Sequence, residues 1–525
     1  MLDLLISLLL SMTRMFVAYL FSLIFSFLIG VSIARNRVLE ALLLPVLDVL
    51  QSIPILGFFP LALVLLINTL PGFLGVELAI VFLISTSMIW NMIFGVYASI
   101  KSLDPGINDL IRTYRFSFAT RFFRVYVPSS TRSVAANSII SWAGGWFFIT
   151  SSEIITLGSS EYRVKGIGTY IMTAYETGDL FKMYIGITAL IFVIIGTYVL
   201  LWNPLFEESG FLKLISIDFV YRYLKKAISR IYDAIASVLE VINIKVDMRL
   251  SNVTSRFYRR ASYYLSKRVT LILIMSIALV SIFYLISRDL SSRLSSVARV
   301  QTLSLDNLVS LNINTLISLS RVVAVLILDL LISLYLAYIA FNSMRYGREY
   351  LKYILLAGEV LGSIPAILWW PILSSLALSG VIGCYIVALI VFLQGSLWYT
   401  FYNILLYGVS SVKRELIDLA DIYRIKGVYF LRNIFIPSLL PSIATGALSA
   451  WGGAWNSTIV AEYFSTDHVK IDLRGIGAMI TRYALENNIR DLTVAVIYLS
   501  LVIILINRVV WREIFKRVSR RFSVE

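Results

Sequence analysis

Cysteine and histidine are almost missing from this chain: its 525 residues hold one of each, Cys384 and His468. A single thiol excludes an internal disulfide, and a single imidazole argues against a histidine-built metal centre or a Ser-His-Asp triad. Charge is scarce as well, at 15% of residues against about 25% in soluble domains. There is no Gly-x-x-x-x-Gly-Lys-[Ser/Thr] segment, so nothing in the chain can cradle a nucleotide's phosphates. No cluster of His, Asp, Glu or Cys falls at one depth, which leaves little basis for a membrane-embedded enzyme. The first apolar segment has no basic region before it and runs on to spanning length, so no cleavable signal is expected.

What is abundant is apolar. Hydrophobic residues make up 59% of the chain, where soluble proteins run near 45–50%, and only a bilayer can solvate such an excess. The net charge of +15 raises nucleic acid as a partner, but the basic residues lie between apolar runs. The bias of cytoplasmic loops toward Lys and Arg explains them without one. A spanning helix needs about 20 apolar residues. Such stretches fall near 14–34, 54–70, 76–98, 128–150, 182–202, 269–287, 314–341, 363–379, 382–406, 436–459 and 491–510. The sequence therefore predicts an all-α polytopic membrane protein of about eleven spans. Residues 204–268 are basic, with apolar residues at helical spacing (Phe211, Leu214, Ile215, Phe219), as expected of amphipathic helices on the cytoplasmic face. The basic tail from Arg512 to Arg521 belongs on the same side.

The two ends of the chain match. Asp109-Leu110, Tyr114-Arg115 and Pro128-Ser129 recur as Asp418-Leu419, Tyr423-Arg424 and Pro437-Ser438. Trp142, Trp146 and Glu153 recur as Trp451, Trp455 and Glu462, and Gly166-Ile167-Gly168 as Gly475-Ile476-Gly477, all at an offset of about 309 residues. Upstream, Ser52-Ile53-Pro54 with Pro60 recurs as Ser363-Ile364-Pro365 with Pro371, and Arg14 as Arg321. This order predicts duplication: a first repeat over 1–203, a linker over 204–268, an extra span with an outer loop over 269–313, and a second repeat over 314–525. Five spans per repeat would invert the second copy. The extra span restores a parallel arrangement, with the N-terminus outside and the C-terminus in the cytoplasm.

The polar stretch between the third and fourth spans resembles the cytoplasmic loop signature of binding-protein-dependent ABC transporter permeases: Glu-Ala-Ala, three residues, Gly, nine residues, Ile, one residue, Leu-Pro. Asp109, Val125, Val127 and Pro128 match it conservatively, as do Asp418, Ala420, Ile434, Ile436 and Pro437. Arg115 and Arg424 stand where the signature has glycine. The Ser-Ile-Pro pair, the Trp pair with its following Glu, and Gly-Ile-Gly resemble the nitrate/sulfonate/taurine-type branch. The resemblance implies two permease units in one chain, forming a translocation pathway in the cytoplasmic membrane for a small solute such as a nitrate- or taurine-like anion. It also implies import, an extracytoplasmic binding protein, and two ATP-binding subunits docked on the two loops. The chain itself then needs no cofactor, and ATP with Mg is used by the partner. Arg112, Tyr114 and Arg115 belong to one docking loop, Tyr423 and Arg424 to the other. For single arginines the positive-inside bias is an equally good reading.

The remaining candidates concern the pathway. Pro54, Pro60, Pro365 and Pro371 free backbone carbonyls early in their spans, so those segments line the pathway or are packing kinks. Trp142/Trp146 and Trp451/Trp455 share a helix face at i, i+4 and either wall the pore or pack between helices. Glu153 and Glu462 fall just past those helices, as gate or docking residues or as solvated surface. Asp329 lies deep in a span, where a carboxylate is costly and faces the bundle interior. It contacts solute or bonds to a neighbouring hydroxyl. His468 is expected in an outer loop. An ion-coupled secondary transporter is the alternative reading, and it would need further intramembrane acids.

Overall fold

A computed structural model describes residues 2–52, 55, 73–114, 116, 118–157, 160–202, 305–345, 350–365, 368–409, 412, 414–425, 427–465, 470–486, 488–514 and 517–518. The expected span at 54–70, the linker at 204–268 and the extra span at 269–287 lie outside them, as do Pro54, Pro60, Arg115 and His468.

The described residues are almost wholly helical. The first repeat runs α1 (Leu2–Arg35), α2 (Arg37–Ser52), α3 (Phe73–Lys101), α4 (Pro105–Thr113) and α5 (Val127–Glu153), then the hairpin β1 (Ile154–Leu157) and β2 (Ser160–Arg163), then α6 (Ile167–Glu176) and α7 (Leu180–Thr197). The second runs α8 (Leu305–Arg345), α9 (Tyr350–Ser363), α10 (Trp369–Ala377), α11 (Val381–Tyr402), α12 (Arg414–Ile422) and α13 (Ile436–Glu462), then β3 (Tyr463–Ser465) and β4 (Lys470–Asp472), then α14 (Ile476–Leu485) and α15 (Ile489–Ile506). Both hairpins are antiparallel. Element for element, α1–α7 correspond to α8, α9 and α11–α15.

Among the described residues, seven helices have the length and apolar composition to cross a membrane. The chain is an all-α polytopic membrane protein. The length of α1, 34 residues, corresponds to roughly 50 Å at 1.5 Å per residue, beyond the ~30 Å of a hydrocarbon core. It begins well before the stretch at 14–34 that hydropathy marks.

One expected span is not a single helix. Residues 363–379 are split between the end of α9 and α10, with a break at Ser363-Ile364-Pro365. Pro365 has no N–H to give the carbonyl of Leu361 four residues back. The side-chain amide of Gln394, on the neighbouring α11, donates instead to Leu361 O at 2.6 Å and to Ile364 O at 3.0 Å. The freed backbone is satisfied inside protein, as apolar surroundings demand.

The chain divides into two compact units. One comprises residues 1–101, 131–216 and 309–525; the other comprises 102–130 with 217–308. In the larger unit the repeats exchange packing: α2 lies against α15, and α9 against α7. Within the second repeat α11 and α13 approach closely. A Cβ on Gly453 would strike the carbonyl of Gly395, and a Cβ on Gly395 the side chain of Ser457. Small residues of this kind let membrane helices meet backbone to backbone.

Candidate functional site

Where the repeats meet, the larger unit holds a partly open cavity of about 60 Å³. Its wall is drawn from equivalent positions of the two repeats. From α2 and α9 come Gln51 and Gly362; from α3 and α11, the pairs Trp90 with Trp398 and Asn91 with Tyr399; from α5 and α13, Ile140 with Ser449, Gly144 with Gly453 and Phe147 with Asn456. Among the described residues the lining carries amides, hydroxyls, indoles and apolar groups, and no lysine, arginine or carboxylate. A water needs at least about 10–15 Å³ of such space, so the room suits a solute of a few heavy atoms.

The break at Pro365 reaches this wall. Gly362 lies beside Ser363-Ile364-Pro365, and Ile55 follows the equivalent Ser-Ile-Pro. The backbone N–H of Ile55 donates to Oδ1 of Asn456, a bond from one repeat to the other. Pro365 and Pro371 are both buried. Glu359, on α9, is fully buried and accepts a 2.6 Å hydrogen bond from the hydroxyl of Tyr402, itself on the cavity wall. Asp48 holds the equivalent sequence position, four residues before its Ser-Ile-Pro.

The tryptophan pairs are elsewhere. Trp142, Trp146 and Trp455 are 0% exposed and Trp451 4%, and none lies on the cavity wall. Trp142 packs in an aromatic cluster with Phe16, Tyr19 and Trp202, its indole N–H donating to Thr197 Oγ1 at 3.3 Å. Trp451 stacks toward Trp511. Their neighbours on α5 and α13, turned toward the other side of each helix, face the solute space.

Glu153 and Glu462 are fully buried, so the solvated-surface reading does not hold. Each anchors the same four-part cluster. Glu153 accepts from Ser11 Oγ, from Arg14 Nη1 at 2.9 Å and from the N–H of Gly168 at 2.8 Å. Ser11 Oγ in turn accepts from the N–H of Ile167. Glu462 accepts from Ser318 Oγ, from Arg321 Nη1 at 2.7 Å and from the N–H of Gly477 at 3.0 Å, while Ser318 accepts from Ile476. The carboxylates thus satisfy the first N–H groups of α6 and α14, where a helix's positive end favours an anion. The copies differ beyond this. Arg14 makes a bidentate pair with Glu77 at 2.7 and 2.8 Å, while Arg321 lies over the ring of Tyr385, 5.7 Å from its centroid.

Asp329 is fully buried in α8, and neither carboxylate oxygen has a hydrogen-bond partner among the described residues. Its backbone carbonyl accepts from Thr400 Oγ1, which also meets Ser333. It does not line the cavity. Glu359 is a further buried acid outside the two arginine clusters, missed because α9 begins outside the hydropathy window.

The two polar loops form amphipathic helices, α4 holding Asp109 and Arg112, α12 holding Asp418 and Ala420. Ala420 is buried, while Asp418, Tyr423 and Arg424 are exposed, as is Tyr114 after α4. Arg424 has φ 53°, the left-handed conformation that glycine adopts most easily. Ile425 N–H bonds to Ala420 O at 2.8 Å and Arg424 N–H to Asp421 O at 3.2 Å, which is the Schellman ending of a helix. Phe116 N–H bonds to Ile111 O at 3.3 Å at the corresponding place after α4. Pro128 and Pro437 are the second residues of α5 and α13, where a proline's missing N–H costs least. Each helix is preceded by a π turn, Phe122–Tyr126 and Leu431–Phe435.

Spanning helices in two matched sets around a small cavity of mixed lining define a membrane transport component. The chain belongs to the family of binding-protein-dependent transport system inner membrane components, whose profile matches residues 23–204 and again 310–521. It is 25% identical over 186 residues to a nitrate import permease protein, NrtB, of Leptolyngbya laminosa, covering 34% of this chain and 62% of that one. It is 25% identical over 166 residues to a bicarbonate transport system permease protein, CmpB, of Synechococcus elongatus, covering 32% of this chain and 55% of that one. The matches therefore span less than two thirds of these curated relatives.

Proposed function

We propose that this chain is the permease subunit of an ABC importer, with two parallel permease units fused in one polypeptide so that one chain supplies both halves of the translocation pathway. The observation that carries this reading is the cavity: equivalent positions of the two repeats wall it, as a solute site at a repeat interface requires. The solute is a small anion, in keeping with what the nitrate and bicarbonate relatives are named for. A separate binding protein delivers it from outside the membrane. Two ATP-binding subunits dock on α4 and α12, whose exposed Tyr114, Tyr423 and Leu419 offer an apolar contact rimmed by Asp109, Asp418 and the loop arginines. The N-terminus is outside and the basic tail in the cytoplasm.

The test is co-purification with the ATPase, followed by disruption of both loops at Asp109 and Asp418. Uptake should be lost while the chain stays folded. Transport and ATP hydrolysis that survive the double disruption would overturn the coupling role. The buried acids Glu359 and Asp329 favour a second reading, an ion-coupled secondary transporter. Uptake that follows an ion gradient in ATP-depleted vesicles would establish it.

A further inference from the structure

The polar groups around the cavity divide by whether their protons are already committed. In the second repeat most are. Gln394 gives its amide protons to Leu361 O and Ile364 O, and its Oε1 accepts from Trp398 Nε1 at 3.2 Å. Tyr402 donates to Glu359. Asn456 donates to Gly452 O at 3.1 Å and accepts from Ile55. These groups hold the helix breaks in place and are spent in doing so.

The first repeat is different. Trp90 is the equivalent of Trp398, but Thr86 stands where Gln394 would be, and Thr86 bonds to Leu83 O. The indole N–H of Trp90 is buried with no acceptor among the described residues. Gln51 and Asn91 carry no side-chain hydrogen bond among those residues; of their equivalents, Gly362 has no side chain, and Tyr399 offers a single hydroxyl, also uncommitted. Buried N–H groups left without acceptors cost free energy. On the cavity wall the buried Nε1 of Trp90 therefore lies beside the partly exposed amides of Asn91 and Gln51, donors left for a ligand that brings acceptors.

We infer that Trp90, Asn91 and Gln51 are the solute's hydrogen-bond donors, so that the solute rests off the pseudo-two-fold axis, against the first repeat. The ligand class is a compact oxyanion, whose several acceptor oxygens such a row of neutral donors matches. Neutral donors suit this task. They replace an anion's hydration shell without the deep electrostatic trap a lysine or arginine would set, and transport needs a solute that can leave. The inference rests on the permease reading and refines it.

The experiment uses proteoliposomes holding the full chain with its ATPase and binding protein, and measures nitrate or bicarbonate moved per ATP hydrolysed. Trp90→Phe keeps the ring and removes the donor. Solute moved per ATP should fall about tenfold, the worth of one hydrogen bond to a charged acceptor, while binding-protein-stimulated ATP hydrolysis persists and shows the chain to be folded. Asn91→Leu should act in the same direction. Trp398→Phe, whose N–H is already taken by Gln394, should lose less. Coupling in Trp90→Phe and Asn91→Leu equal to wild type, or a greater loss in Trp398→Phe, would overturn the donor assignment. Absence of any ATP-driven uptake by the wild type is a separate result, visible before any variant is made, and it overturns the permease reading and this inference together.

Discussion

Arg424 occupies a backbone conformation that side chains with a Cβ tolerate poorly, at a cost of roughly 1 kcal/mol, yet the ending of α12 is fully formed around it. Arg424→Gly should therefore raise the melting temperature in detergent by a few degrees, as relief of about 1 kcal/mol does in a folded domain. A fall would show that the guanidinium makes a contact worth more than the strain. At the other kind of residue, the buried ion pair, the sign reverses. Arg321→Met leaves Glu462 buried without its one cationic partner among the described residues, and loss of one member of such a pair costs about 3–5 kcal/mol. Thermal unfolding should show a large drop, and Arg14→Met a comparable one that also strands Glu77. These clusters were half legible in the sequence. Arg14, Glu153 and Gly166-Ile167-Gly168 stand out by recurring, but nothing in their spacing says that residues more than a hundred positions apart converge. The serines that complete each cluster, Ser11 and Ser318, carry no signal of their own in apolar helices rich in serine.

At the scale of elements, hydropathy finds long helices well and broken ones badly. The window over 363–379 measures composition, and composition is uniformly apolar across the break. What ends α9 is a missing proton on Pro365, and what makes the ending tolerable is Gln394, on a different helix. Gln394→Leu should uncover two carbonyls and cost about 1–3 kcal/mol for each one left without a donor, read as a lower melting temperature and faster hydrogen exchange in Tyr350–Ser363. The tryptophans mislead in the opposite way. At i, i+4 they declare a shared face, but a face is turned inward or toward solute by its neighbours, and Ala143-Gly144 beside Trp142 looks unremarkable until the helices are assembled. Of the cavity residues Trp90-Asn91 only the tryptophan repeats, in Trp398-Tyr399, a weaker match than those between the two loops.

Across the whole molecule, the exchange of packing between repeats has a mechanical meaning. With α2 held against α15 and α9 against α7, neither repeat can be withdrawn without exposing helix faces of both. Co-expression of residues 1–230 with 231–525 should give two fragments that purify together through a tag on one of them. Fragments that separate in mild detergent would show that the linker, not the exchange, joins the repeats. The order of matched residues in the sequence is in keeping with a family profile that matches at 23–204 and again at 310–521. The cavity was not legible in that order, because a void belongs to no segment; it exists only where helices from both ends of the chain come within reach.

Arg14 faces a carboxylate where Arg321 faces a phenol ring, and both substitutions sit in one gene. An assembly of two identical chains inherits every mutation twice and keeps its mirror-like balance whether or not that balance is useful. Here each half can drift alone. The end of the molecule carrying the two hairpins has accordingly acquired a more acidic flank and a more aromatic one, so that whatever approaches it meets a left and a right.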